Sequence, residues 1–337
     1  MSGNEFEAFE IIVAEPANKR LKKTHDSLAN LPHLEPTKNG VNSSITKLED
    51  LPNEILLKVF DNFQINDLIK CGQVNQRIRS IAHHEILWQK VNLDCKRDQY
   101  LNYKSGPHGY RISAGLIQLI LENGCRHLGI SGIVEHDLMP NNTIQLNHLV
   151  ISNVSPEKTV DVLLASCNSL EKLSLNHVRL SNSMVSSICN KNGKTLKVLN
   201  LRACETGEEQ FDFEVLSQII QPIIDNCKGL TELNLPNEIL MKVLPWLRKE
   251  SIDYVVNNLT DNILKLNLNG IKIEDDQLKV LVARCNKITE LNLNGSNVSN
   301  ESVEHLLTYL QSTLGTIHIL RQQIFGPFLT HQYVSQN

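Results

Sequence analysis

Aromatic residues make up only 5% of this 337-residue chain, and it has two tryptophans. No run of about 18 apolar residues occurs, so no segment reads as a membrane-spanning helix. The N-terminus carries Glu5, Glu7 and Glu10 among apolar residues where a secretory signal would place a basic segment and then an apolar one, and the expectation is an intracellular protein. The acceptor-like triplets Asn141-Asn142-Thr143, Asn153-Val154-Ser155 and Asn258-Leu259-Thr260 are then coincidental. A net charge of −4 and a pI near 6.3 supply no bulk field for nucleic acid or an anionic membrane, and neither is expected as a partner. Also missing are a phosphate-cradling G-x-x-x-x-G-K, a G-x-G-x-x-G, any C-x-x-C pair and any His/Cys set with metal spacing. The chain is therefore expected to carry no catalytic residue, no cofactor and no metal. His83-His84-Glu85, the nearest titratable cluster, reads as the surface of a short helix.

Eight cysteines are present, but the chain is far longer than a disulfide-stapled mini-domain. Cys167, Cys227 and Cys285 stand three residues before Leu170, Leu230 and Ile288, which open equivalent sequence units. A small thiol at one repeated station is expected to be a packing residue.

Residues 1–46 lack a sustained period and are rich in Asn, Pro, Lys, Glu and Ser, which suits a disordered tail. Within it, Lys19-Arg20-Leu21-Lys22-Lys23 has the composition of a nuclear import signal or of a solvated basic run. The expected location is the nucleus, the cytoplasm or both.

Residues 47–94 read as helical. Pro52 suits a first turn, Glu54 complements the helix dipole, and Ile55, Leu56, Val59, Phe60 and Phe63 form one apolar stripe. Two shorter patterns follow, with Leu68, Ile69 and Val74 and then Ile78, Ile81 and Ala82, before Leu87-Trp88 and Val91-Asn92-Leu93. So small a unit cannot bury all of these residues within itself, and a protein neighbour is expected to cover what remains.

After residues 95–120, an expected linker or irregular first repeat, the text over 121–320 becomes an L-x-x-L-x-L repeat. Clear copies begin at Leu170, Leu196, Leu230, Ile263, Ile288 and Leu314, with starts 26, 34, 33, 25 and 26 residues apart, and weaker copies begin at Cys125 and Leu146. Helical patterns separate them, and a strand plus a helix per unit builds a leucine-rich solenoid with strands on the inner face. Strand alternation points Lys172, Ser174, Asn176, Val198, Asn200, Arg202, Glu232, Asn234, Lys265, Asn267, Asn269, Glu290, Asn292 and Asn294 to that face. From these, Lys172, Ser174, Asn200, Arg202, Asn234, Lys265, Asn267 and Asn292 are the candidate substrate-binding residues. The asparagine column either reads an extended peptide or satisfies itself by mutual bonding, and Lys172, Arg202 and Lys265 suit an acidic or phosphorylated residue. Residues 321–337 are a tail or a cap on the solenoid end, the cap being the favoured reading of their apolar content.

The segment Leu48 to Asp94 resembles the F-box, whose pattern runs L-P-x-E-I-L, an apolar stretch, V-C-x-x-W and L-W. Leu51, Pro52, Glu54, Ile55, Leu56, Val59, Phe60, Val74, Leu87 and Trp88 match, while Asn75 replaces the usual Cys and Ile78 the usual middle Trp. Ile78 keeps its site apolar, so altered packing without loss of the fold is expected. With the repeats, residues 48–320 resemble the F-box/leucine-rich-repeat family. The resemblance implies an α/β solenoid fold: a small three-helix F-box followed by a horseshoe with parallel strands inside and helices outside. It also implies a non-catalytic substrate receptor of an SCF-type ubiquitin ligase. The F-box would dock on a Skp-type adaptor, cullin and RING subunits would be reached indirectly, and the repeats would bind a protein substrate, phosphorylated or not. By that analogy Leu51, Pro52, Ile55, Leu56, Val59, Phe60, Leu68 and Trp88 form or support the adaptor-binding surface, and Leu56→Asp with Trp88→Ala would disrupt it. The alternative is a leucine-rich scaffold that binds partners without ligase assembly. Leu235 to Val243 nearly repeats Leu51 to Val59, but no Leu-Trp closure follows, so it reads as a strand-to-helix turn.

Overall fold

The computed structural model describes residues 48–94, 111–135, 144–206, 219–235, 245–319 and 331–334. The basic pentamer at Lys19–Lys23 and, beyond Leu235, the F-box lookalike lie outside the described residues. The chain divides into two units, Met1–Asp50 and Leu51–Asn337.

The second unit begins with four helices: α1 (Asn53–Phe60), α2 (Ile65–Cys71), α3 (Gln76–Ala82) and the single turn α4 (Glu85–Trp88). The fourth exceeds the three that the sequence suggests, because Leu87-Trp88 closes its own turn. Pro52 has no N–H to lose and stands at the N-cap of α1, its carbonyl accepting from the Ile55 and Leu56 N–H groups at 3.1 and 3.0 Å. Asn75, the departure from the usual Cys, caps α3 by accepting from the Ile78 N–H at 2.8 Å. Ile78 itself is buried, as an apolar substitute for tryptophan should be.

Chain order then gives β1 (Lys90–Asp94), β2 (Arg111–Ser113), α5 (Ala114–Glu122), β3 (His127–Glu135), β4 (His148–Ser155), α6 (Glu157–Ser166), β5 (Lys172–Asn176), β6 (Arg179–Leu180), α7 (Asn182–Asn192), β7 (Val198–Asn200), β8 (Glu205–Thr206), α8 (Gln221–Asn226), β9 (Glu232–Asn234), α9 (Pro245–Asn258), β10 (Lys265–Asn267), α10 (Asp275–Arg284), β11 (Glu290–Asn292), α11 (Asn300–Tyr309), β12 (Thr316–Ile319) and β13 (His331–Val334). The main sheet runs β1-β3-β4-β5-β7-β9-β10-β11-β12-β13. Its pairings are parallel up to β12, while β13 joins β12 antiparallel at the end of the sheet. All eight repeat copies, the weaker ones included, open a strand two residues after their first station. This is the α/β solenoid.

A ninth strand precedes them. Trp88 at the end of α4, with Val91 and Leu93 in β1, occupies the same three stations, and all three are as buried as the leucines of later units. The helical module therefore runs into the solenoid without a break, and Trp88 serves both.

One row of the sheet, Val91-Leu128-Leu149-Leu173-Leu199-Leu233-Leu266-Leu291-Ile317, is buried on every strand. Each such side chain contributes about 1.5–3 kcal/mol by leaving water, and the contiguous row ties each unit to the next. Helix caps use local hydroxyls: Ser181 accepts from the Met184 N–H at 3.2 Å and Ser299 from the Ser302 N–H at 3.2 Å.

One repeated station holds a left-handed residue: Asn153 within β4, and His177, Ala203, Gly270 and Gly295 just beyond their strands, with φ of 51°, 51°, 49°, 78° and 79°. Gly295 needs its missing side chain twice over, since a Cβ there would lie 3.2 Å from Gly270 Cα. Ala203 holds the same conformation with a Cβ and no polar group to compensate. Replacing Ala203 by Gly should raise the unfolding free energy by about 0.5–1 kcal/mol, the left-handed strain outweighing the added chain entropy. A urea titration showing no gain would refute this.

Candidate functional site

Two surfaces remain open on this architecture. On the helical module, Leu56, Phe60, Leu68 and Trp88 are at most 2% exposed. These four expected adaptor-facing residues form the core of the module and cannot reach a partner directly; they hold the others in place. Trp88 Nε1–H donates to the Ala82 carbonyl at 2.7 Å, and its ring stacks near His83. Leu56→Asp and Trp88→Ala would accordingly unfold the module before they reported on docking. Ile55 is 42% exposed, Pro52 is exposed, and Leu51 and Val59 are half-buried, so these four remain at the surface. Sequence reading did not single out Val74 and Ile86 as contact residues, yet they are 67% and 43% exposed. Val74 stands in the turn between α2 and α3 and Ile86 on α4, and an apolar residue beside an already filled core was the available signal.

His83-His84-Glu85 is more structural than a helix surface. His83 Nδ1 lies 3.0 Å from Asn123 Oδ1 at the end of α5, which joins the module to the first repeat helix, and His84 Nδ1 accepts from the Ile86 N–H at 3.4 Å.

The second surface is the sheet face opposite the leucines. Its central row reads Asn92, Gly129, Val150, Ser174, Asn200, Asn234, Asn267, Asn292 and His318 on successive strands. Register thus brings the predicted Ser174, Asn200, Asn234, Asn267 and Asn292 into one line. The asparagines neither bond one another as a ladder nor stay wholly available. The side-chain oxygens of Asn200, Asn267 and Asn292 each accept, at 3.0 Å, from the N–H two residues on, at Arg202, Asn269 and Asn294. They close the strand exits as Asx turns. Asn176 donates through Nδ2 to Ser152 Oγ at 3.0 Å.

A neighbouring row reads Lys90, His127, His148, Lys172, Val198, Glu232, Lys265, Glu290 and Thr316. Lys265 is engaged by Glu290 at 2.7 Å, and this hydrogen bond raises its pKa. Its charge is thus already answered within the sheet. Lys172 is exposed and lies beside the stacked His127–His148 pair, whose ring centroids are 3.9 Å apart. Arg202 is exposed at the exit of β7.

Among the described residues Cys71 is half-buried, and Cys125, Cys167, Cys189, Cys204, Cys227 and Cys285 are buried. Burial pushes the Cys167 thiol up to about 12 and those of Cys125 and Cys285 up to about 11. Cys189 and Cys227 share a hydrogen bond that raises the pKa of Cys189 and lowers that of Cys227. Both are buried in the layer between α7 and the following unit, where an attacking thiolate would not meet a substrate. Among the described residues no group of three His, Cys, Asp or Glu side chains is placed to hold a metal ion, and no helix is long and apolar enough to cross a membrane. A small void between solenoid layers, lined by Leu235, Ile252, Val256, Leu268 and Ile273 among others, offers no polar group to a substrate.

Residues 48–94 match the F-box-like family model. The match covers the four helices and β1, so the F-box-like segment includes the first strand of the solenoid. Among solved structures, that of the Rad7 and Elc1 complex in yeast is similar at 15% identity, over 79% of this chain and 81% of that chain, with a TM-score of 0.40.

Proposed function

We propose that this chain is a non-catalytic substrate receptor of an SCF-type ubiquitin ligase, acting in the nucleus or cytoplasm. Its F-box-like module docks on a Skp-type adaptor, and its sheet face holds a protein substrate. The observation that carries this reading is the F-box-like match at 48–94 on a module that leaves Ile55, Val74 and Ile86 uncovered after filling its own core. Exposed apolar side chains on a folded unit mark a protein interface. A substrate held on the repeats would have its lysines at high effective concentration near the ubiquitin carrier, so the receptor contributes positioning and no bond-making group.

Capture on immobilised Skp-type adaptor tests it. The wild-type chain should be retained, and Ile55→Asp should weaken retention by about 30-fold, the effect of losing one central contact of about 2 kcal/mol. Because Ile55 is exposed, the variant should melt with the wild type. A wild-type chain that is folded yet not retained would overturn the receptor reading in favour of a scaffold that assembles partners without the ligase.

A further inference from the structure

The exposed sheet face is not electrically uniform. Across its first four main-sheet strands the row Lys90-His127-His148-Lys172 carries four nitrogen bases and no acid. Its continuation alternates in sign and is internally paired at Lys265–Glu290. Among the described residues neither Lys90 nor Lys172 has an ion-pair partner. Glu171 is the acid whose charge acts on both histidines, and it is bonded to Lys197 at 3.2 Å. Arg126, next to His127 in the chain, turns to Gln145, donating to its carbonyl and to its side chain at 3.0 and 2.9 Å.

The histidines register this crowding. Partial burial, and then Lys90 and Lys172, depress the pKa of His127; partial burial, and then His127, Lys172 and Lys90, depress that of His148; Glu171 opposes them on both, and on His148 it outweighs Lys90. Like charges set side by side on adjacent strands destabilise a sheet, and an anion laid along the row would relieve this. The adjoining central row sets no acid against one. Gly129 has no side chain, its Cβ space being filled by the Asn92 carboxamide, and Val150 and Ser174 follow without charge.

We propose that this row docks an acidic peptide segment of a protein partner, and that the segment binds more tightly as pH falls. The proposal deepens the receptor reading by naming the chemistry of what is received. Four strands at a spacing of about 4.8 Å spread the bases over roughly 14 Å, the reach of two or three acidic side chains at alternate positions of an extended peptide. Carboxylates accept from the lysine ammonium and imidazolium N–H groups in charge-assisted bonds. Their charge raises the histidine pKa in the complex above that of the free protein, so binding takes up protons. Affinity therefore rises as pH falls towards and through the interval between the free and bound values, while glutamates, with a pKa of about 4.3, stay ionised.

The test is fluorescence anisotropy of the full chain with a labelled peptide of alternating Glu and Ser, and with its Gln-for-Glu counterpart, near pH 7.5 and near pH 6. The Glu peptide should bind about fivefold tighter at the lower pH, a factor within the tenfold per pKa unit that proton linkage allows. The Gln peptide should not bind. His127→Gln with His148→Gln should bind without the pH dependence, and Lys90→Gln with Lys172→Gln should bind about tenfold more weakly at both pH values. Lys279→Gln, an equal change in charge per residue on α10, should have no effect. Wild-type binding that does not distinguish the two peptides, pH dependence surviving in the double histidine variant, or undiminished binding by the double lysine variant would each overturn the proposal. Adaptor capture on the same samples separates the two readings. Peptide binding without capture rejects the receptor role and leaves the site, and capture without peptide binding rejects the site alone.

Discussion

Replacing Trp88 by Ala should lower the unfolding free energy by about 3–5 kcal/mol, the usual cost of deleting a buried aromatic ring. The ring is completely buried and stands at the meeting of the helical module and the first solenoid strand. Its N–H donates to the Ala82 carbonyl at 2.7 Å, at the C-terminal turn of α3 where carbonyls lack helical partners. Removing it would open a cavity and leave that carbonyl unsatisfied together. Trp88→Phe separates the contributions, since most of the volume stays and the donor goes; its cost should be about 1–3 kcal/mol. Denaturant titration with a far-ultraviolet probe measures both. A Trp88→Ala chain as stable as wild type would show that the two parts do not share this side chain. The contrast with Ile55→Asp matters for function: the first substitution weakens folding and the second docking, although both positions fall in one family pattern.

Asn192→Ala should cost about 2–4 kcal/mol, because it strands polar backbone groups in the solenoid interior. Asn192 is wholly buried at the end of α7, yet its two shorter side-chain bonds reach the preceding unit. Its Oδ1 accepts from the Leu170 N–H at 3.0 Å, and its Nδ2 donates to the Cys167 carbonyl at 3.2 Å and, at 3.5 Å, to that of Ser187. Cys167 and Leu170 bound the turn between α6 and β5, so one side chain pins the helix-to-strand turn of the neighbouring unit. Leucine at this position would have similar volume and none of the bonds, and Asn192→Leu should therefore be no better than the alanine variant. Equal urea midpoints for wild type and Asn192→Leu would refute the role.

The repeats were legible because three apolar stations with fixed spacing are a local property. A strand shows its buried side every second residue, and Leu170 or Ile288 identifies its strand without knowing what lies beside it. The same pattern is present at Trp88, Val91 and Leu93, but there the L-W pair also closes the helical pattern, so one local signal fits both elements. Within the module, the stripe of Ile55, Leu56, Val59 and Phe60 was correct as a helix pattern. It did not separate Leu56 and Phe60, which face inward, from Ile55, which does not. That separation depends on where α3 and α4 pack. The asparagine column was likewise visible, but its use as a set of strand-exit acceptors depends on backbone turns that composition does not describe.

What the sequence by itself determined is the order of elements and the solenoid they build, because hydrophobic periodicity acts over a few residues and is written into them directly. What the tertiary structure alone decided is neighbourhood. Lys90, His127, His148 and Lys172 are separated by unequal intervals of chain, and strand register sets them side by side. Asn192 likewise completes a turn more than twenty residues before it. Both follow from hydrogen bonding across strands and units, which joins positions through space whatever their separation along the chain.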